Sequence, residues 1–214
     1  MAGLDPRALR VYVLTSARFS GRSHRDVAMA ALQGGAGAIQ LRAPELPDDE
    51  LLAVASGLAA ACADAGALFV INDRPEIAAA VGAAGAHAGR ADDPSAARRL
   101  LGPDRILGMS VDGGSQAHEA EDLGADYLGV TVWSTPTKPE ATPGGLALVR
   151  TISTRSTLPV VGIGGIDAAN APSVLDAGAA GVAVISAVAA APDPIEATRE
   201  LLRVVDRALE GRGG

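Results

Sequence analysis

Short apolar runs recur along the chain at residues 11–15, 38–42, 68–72, 86–88, 106–110, 127–132, 160–163 and 182–185. Each is nearly continuous rather than alternating, which is the pattern of a strand buried on both faces of a parallel sheet. The stretches between them are rich in Ala and Leu and read as helices, as at 48–65, 116–123 and 195–209. The repeating feature is the junction, where an amphipathic stretch ends in Gly and an apolar run follows. Gly34-Gly35-Ala36-Gly37, Ala65-Gly66-Ala67, the segment 82–85, Gly124-Ala125-Asp126 and Gly178-Ala179-Ala180-Gly181 are the five instances. Gly ends helices because it accepts the left-handed conformation. Eight alternating units predict an α/β fold, a closed (β/α)8 TIM barrel. They form a single domain over 1–214, with 1–9 and 210–214 as flexible ends. An open doubly wound sheet is the alternative. It would carry a Gly-rich dinucleotide turn after the first strand, and Thr15-Ser16-Ala17-Arg18 is not one.

Composition narrows the picture. Apolar residues make up 48% of the 214, but aromatics only 2%, so the core has to be built from Ala, Val, Leu and Ile. A net charge of −7 argues against a nucleic-acid-binding face, while permitting a local basic pocket for an anion. The single cysteine, Cys62, excludes an internal disulfide and a multi-cysteine metal site. Among Ala59, Ala60, Ala61 and Ala63 it reads as a small buried helical residue. No run approaches the roughly 18 apolar residues of a membrane span, and residues 1–10 lack the apolar core of a signal peptide. A cytoplasmic protein without a membrane partner is therefore expected.

In a barrel the C-terminal strand ends face the active site. Those ends carry Gln40-Leu41-Arg42, Asn72-Asp73-Arg74, the segment from His87 to Asp92, Ser110, and Trp133-Ser134-Thr135-Pro136-Thr137-Lys138. Gly162-Ile163-Gly164-Gly165 and Ile185-Ser186 complete the rim. Loops after the seventh and eighth strands are the recurring phosphate site of barrels, so Gly164-Gly165 and Ile185-Ser186 are read that way, against a plain tight turn. Asp73 and Asp92 suit magnesium, which takes one or two carboxylates and shares its shell with water and phosphate. Helix capping competes for Asp92, just before Asp93-Pro94-Ser95. Arg42 and Lys138 supply cations to an otherwise acidic rim, against two solvated surface charges. His87 reads as a packed neutral side chain before a catalytic one. His24 and His118 fall at helical positions and carry no signal. Trp133 either stacks on a ring or closes the barrel top. The chain has no Gly-x-Ser-x-Gly turn, no His-Glu-x-x-His and no nucleotide-hydrolase phosphate loop.

Taken together, the rim motifs resemble one family, thiamine phosphate synthase, over about residues 11–202. The resemblance rests on Gln40-x-Arg42, Asn72-Asp73, His87-x-Gly89-x-x-Asp92, Gly108-x-Ser110, Thr135-Pro136-Thr137-Lys138, Gly162-Ile163-Gly164-Gly165 and Ile185-Ser186, seven motifs in order at the right strand ends. It implies a transferase that joins a hydroxymethylpyrimidine diphosphate to a thiazole phosphate and releases pyrophosphate by a dissociative, magnesium-assisted route. It further implies that Gln40, Arg42, Asn72, Ser110 and Lys138 hold the diphosphate substrate, with Arg42, Ser110 and Lys138 catalytic. Asp73 and Asp92 would hold magnesium, and Thr135, Pro136, Thr137, Gly165, Ile185 and Ser186 the thiazole phosphate. The expected partners are these two small molecules, not nucleic acid, and a homo-oligomer stays open. Two departures stand out. The family lysine of Gln-x-Arg-x-Lys falls at Pro44, with Arg74 or Arg90 as candidate replacements, and the strand before the Thr loop is one residue shorter than the usual form. Two alternatives follow. One is a thiazole tautomerase, whose relatives place a histidine where this chain has Thr131 and Val132. The other is a diverged barrel of this family that binds a phosphate ester without catalysis.

Overall fold

A computed structural model describes residues 4–89, 93–134 and 142–211. The elements follow the predicted alternation. They are β1 (Val11–Leu14), α1 (His24–Gln33), β2 (Ala38–Leu41), α2 (Asp48–Ala65), β3 (Leu68–Asn72), α3 (Pro75–Ala80), β4 (Gly85–Ala88) and α4 (Pro94–Leu101). The second half continues with β5 (Ile106–Val111), α5 (Gly114–Asp122), β6 (Tyr127–Thr131), α6 (Gly145–Arg155), β7 (Val160–Ile163), α7 (Ala171–Asp176) and β8 (Gly181–Val184). A short α8 (Ser186–Ala189) and a long α9 (Pro194–Glu210) end it. The strands pair in parallel in chain order, and β8 returns to β1 through Val11 and Val182. This is the expected closed barrel, with each strand end within one residue of its predicted place.

Because successive strand residues face opposite ways, each strand contributes to two cores. Val13, Ile39, Ile71, Leu128, Val160 and Val182 pack outward against the helices. Tyr12, Leu14, Ala38, Val70, Tyr127, Val161 and Ala183 fill the barrel itself with Leu9. Leu9 ends a 3-10 turn, Pro6–Leu9, and is fully buried. A side chain that plugs the N-terminal mouth of the barrel cannot fray without exposing the inner core. Cys62 is buried in the helical layer, and desolvation pushes its thiol up to about 12, consistent with an inert packing role. No helix among the described residues is long and apolar enough to cross a membrane.

The interior is short of aromatics, and its two tyrosines meet edge to face, with ring centroids 6.0 Å apart. That contact depends on Gly108. A Cβ there would lie 2.1 Å from Tyr127 Cζ and 2.3 Å from its hydroxyl. The ring cannot swing away, since it is buried and held at its hydroxyl by Tyr12 and His87. Gly108→Ala is expected to destabilise the fold by about 1–3 kcal/mol, the usual cost of overpacking. Urea denaturation should show an unchanged slope and a lower midpoint; an unchanged midpoint would mean that the ring is free to move.

Candidate active site

One cavity opens at the C-terminal ends of the strands, with about 840 Å³ of empty space including its mouth. Gln40 reaches it from β2, Arg42 from just beyond β2, Asn72 from β3 and Ser110 from β5. Gly164, Gly165 and Ile166 after β7, and Ile185 and Ser186 after β8, form another part of the wall. Apolar wall comes from Val161, Ile163 and Ala183. All these strand residues occupy inward positions of the two-residue alternation, so register alone brings them together.

A hydrogen-bonded chain crosses the floor. Gln40 Nε2 donates to Tyr12 Oη at 2.7 Å, and Tyr12 Oη lies 2.9 Å from Tyr127 Oη. Tyr127 Oη lies 3.0 Å from His87 Nδ1, and His87 Nε2 lies 2.9 Å from Ser110 Oγ. Gln40 is 2% exposed, and its Oε1 has no hydrogen-bond partner among the described residues. An orphaned buried carbonyl on a cavity wall is costly unless a ligand donor meets it. Burial pushes both phenols above their ordinary value; for Tyr127 the nearby Tyr12 adds to the rise. A phenol whose pKa is raised by folding contributes stability that is complete below the unfolded value of about 10 and is lost as pH rises past it. These are the chain's only tyrosines. An ultraviolet pH titration should therefore show tyrosinate appearing only together with unfolding; free titration near pH ~10 in the folded protein would show an open floor instead.

The Gly164–Gly165 turn is built for close approach. Both residues have positive φ, 96° and 64°, which side chains rarely adopt. A Cβ on Gly164 would also meet Trp133 O at 2.6 Å, so Trp133 backs this turn. Asn170 Nδ2 donates to Gly165 O at 2.8 Å and fixes the turn from outside. The Gly165 N–H takes no acceptor among the described residues. With Ile185-Ser186 opening α8 beside it, the turn presents backbone donors suited to an anion.

Asp73 follows Asn72 with φ 57°, in the left-handed region that Asp and Asn tolerate best. One carboxylate oxygen accepts from Gly89 N at 3.1 Å and the other from Asn72 Nδ2. Each oxygen keeps a lone pair, so Asp73 fits as one ligand of a magnesium ion. Among the described residues no group of three or more His, Cys, Asp or Glu forms a metal cluster. The N-cap of α4 is Asp93, whose carboxylate accepts from Ala96 N at 3.1 Å.

A family model for thiamine monophosphate synthase matches residues 11–188. The chain belongs to the thiamine monophosphate synthase family. It is a transferase. It is 48% identical over 206 residues to thiamine-phosphate synthase of Roseiflexus sp., covering 94% of this chain and 87% of that one. A second thiamine-phosphate synthase, from Moorella thermoacetica, is 47% identical over 199 residues, 92% and 95% of the two chains. Thiamine phosphate pyrophosphorylase from Pyrococcus furiosus superposes with a TM-score of 0.89 at 38% identity, over 95% of this chain and 98% of that one.

For this family member, seven residues expected from the motifs line one cavity: Gln40, Arg42, Asn72, Ser110, Gly165, Ile185 and Ser186. Asp73 sits beside them behind Asn72. Asp92, Arg90, Thr135, Pro136, Thr137 and Lys138 lie outside the described residues. Arg74 is turned to Asp48, 3.3 Å away, and does not line the cavity. Pro44 is exposed in the turn after β2. Motif reading missed Tyr12 and Tyr127, although two tyrosines at inward strand positions of an aromatic-poor chain were a usable signal. His87 is more than packing, since both ring nitrogens are engaged along the floor. His24, expected to carry no signal, is 5% exposed and bridges Thr15 Oγ1 at 2.8 Å and Glu45 Oε1 at 2.7 Å. Thr15 Oγ1 also accepts from Arg42 N at 3.2 Å. The first residue of α1 thus points under the active-site loops, a direction that helical periodicity does not reveal.

Proposed function

We propose that this protein is a thiamine-phosphate synthase, joining hydroxymethylpyrimidine diphosphate to a thiazole phosphate with release of pyrophosphate and with magnesium as cofactor. The observation that carries this reading is the gathering of Gln40, Arg42, Asn72 and Ser110 with Gly165, Ile185 and Ser186 around one cavity, in a chain of the synthase family. The bond between the pyrimidine methylene carbon and the diphosphate oxygen breaks, and its electron pair leaves with pyrophosphate. The thiazole nitrogen then gives its lone pair to that carbon. Negative charge grows on the leaving group, where the Arg42 guanidinium and the Ser110 hydroxyl lower the barrier because they bind the developing charge more tightly than the ground state. Gln40 Oε1 accepts from an amino group of the pyrimidine, which orients the ring. The apolar wall of Val161, Ile163 and Ala183 keeps water from the electrophilic carbon. Gly165 and Ser186 hold the thiazole phosphate through backbone donors. Lys138, Thr135, Pro136, Thr137 and Asp92 enter on their motifs alone. Asp73 and Asp92 are the residues that would hold magnesium, which neutralises the diphosphate and stabilises the charge that builds on it. No protein nucleophile or strong base is needed.

The test is direct. Purified protein with magnesium and both substrates should form thiamine phosphate and pyrophosphate in equal amounts. Calorimetric binding of the thiazole phosphate without product would favour a binding protein over an enzyme. Isomerisation of a thiazole phosphate in the absence of the pyrimidine would favour a tautomerase.

A further inference from the structure

The floor of the cavity has a direction, and counting protons reveals it. Gln40 Nε2 can only donate, so Tyr12 Oη accepts from it. Tyr12 then has one proton and one further partner in the chain, and donates to Tyr127 Oη. Tyr127 in turn has its proton left for His87 Nδ1. An Nδ1 that accepts leaves the ring proton on Nε2, which donates to Ser110 Oγ. The Ser110 oxygen accepts from the ring, so its own proton is available to an acceptor in the cavity. Both phenols are fully buried, which keeps their protons in place. At the other end of the same chain stands the unpartnered Gln40 Oε1.

We infer that Gln40, Tyr12, Tyr127 and His87 form a polarised hydrogen-bond wire that fixes the Ser110 hydroxyl as a donor toward the departing pyrophosphate, so that recognition of the pyrimidine at Gln40 is coupled to loss of its leaving group. Tyr12, Tyr127 and His87 are positioning residues in this scheme, acting through Ser110. The inference rests on the synthase reading above for the identity of the acceptor. Its orientation of protons does not. A hydroxyl already aimed at the leaving group needs no rotation as charge develops, and linked hydrogen bonds polarise one another in a medium of low dielectric. A ligand donor on Gln40 Oε1 strengthens the Nε2 donor by the same polarisation, and the effect passes along the chain.

Two measurements test the wire. The first uses the free protein. With only three histidines in the chain, nitrogen-15 spectra of the imidazoles can be assigned by His87→Gln. His87 should be held as the Nε2–H tautomer, and Tyr127→Phe should mix in the Nδ1–H form. Finding Nδ1–H in the unaltered protein reverses the direction of the wire and overturns the proposal. The second is a double-mutant cycle in the synthase assay. Tyr127→Phe, which keeps the ring and removes the hydroxyl, should lower kcat about tenfold while leaving KM for the thiazole phosphate unchanged. In a Ser110→Ala background the same change should cost almost nothing, because the wire has lost its terminus. Equal losses in both backgrounds would make Tyr127 a merely structural residue. Tyr12→Phe cuts the wire one link earlier and must give the same pattern, which keeps the test intact if Tyr127→Phe does not fold. Absence of any synthase product from the unaltered protein refutes the functional reading, whereas the tautomer of His87 is decided without substrates.

Discussion

Arg42→Ala is expected to lower kcat/KM by about a hundredfold to a thousandfold, the usual cost of losing one donor that stabilises a developing anion. Among the described residues Arg42 is the one cation lining the cavity. Two positions further on, where the family motif carries a lysine, this chain has Pro44. Arg74 is committed to Asp48 and does not share the load. Arg42→Lys should recover only part of the loss, since a point charge replaces a planar fork that grips two phosphate oxygens. The fold should be indifferent to both changes, because the Arg42 bond to Thr15 is made by its backbone N–H. Steady-state kinetics with melting curves of both variants check this. A loss below about fivefold for Arg42→Ala would place the diphosphate elsewhere and would weaken the synthase reading with it.

Asp73→Asn should have the second largest effect, a loss of about a hundredfold at low magnesium that is partly relieved by raising the ion. Asn is the right replacement because it keeps the shape and tolerates the left-handed backbone at this position. Alanine would add strain to the loss of charge. The readout independent of turnover is a calorimetric titration of magnesium in the presence of pyrophosphate, in which the variant should bind far more weakly. Equal affinity and equal rate would remove Asp73 from the metal site and leave it as a loop brace for Gly89 and Asn72.

How much of this was legible in the sequence depends on the range of the interaction concerned. The strands could be read because a parallel barrel buries both faces of every strand, which writes each one as a nearly continuous apolar run. Val11–Leu14 in β1 shows this. The rim residues could be read because barrel topology puts every strand's C-terminal end on one face, so Gln40, Asn72 and Ser110 meet by rule. Leu9 was less legible. A single leucine ahead of β1 has no periodic context, and only the barrel mouth it fills gives it a place. His24 was misread because its role comes from Thr15 and Glu45, which belong to two other loops.

The amino-acid pattern by itself determined the barrel and its single run of eight strand–helix units, and it pointed to Gln40, Asn72 and Ser110 at the rim. These follow from local periodicity and from chain order, both of which are properties of a one-dimensional string. The tertiary structure alone decided which side chains touch. Tyr12 and Tyr127 are separated by 115 residues, yet their hydroxyls are 2.9 Å apart. Barrel closure brings strands that are not neighbours within reach of each other, and no spacing in the sequence encodes a contact across the interior. The direction of the floor, the orphaned carbonyl of Gln40 and the brace beneath Arg42 all arise from such contacts, and so does the coupling inferred between the two ends of the cavity.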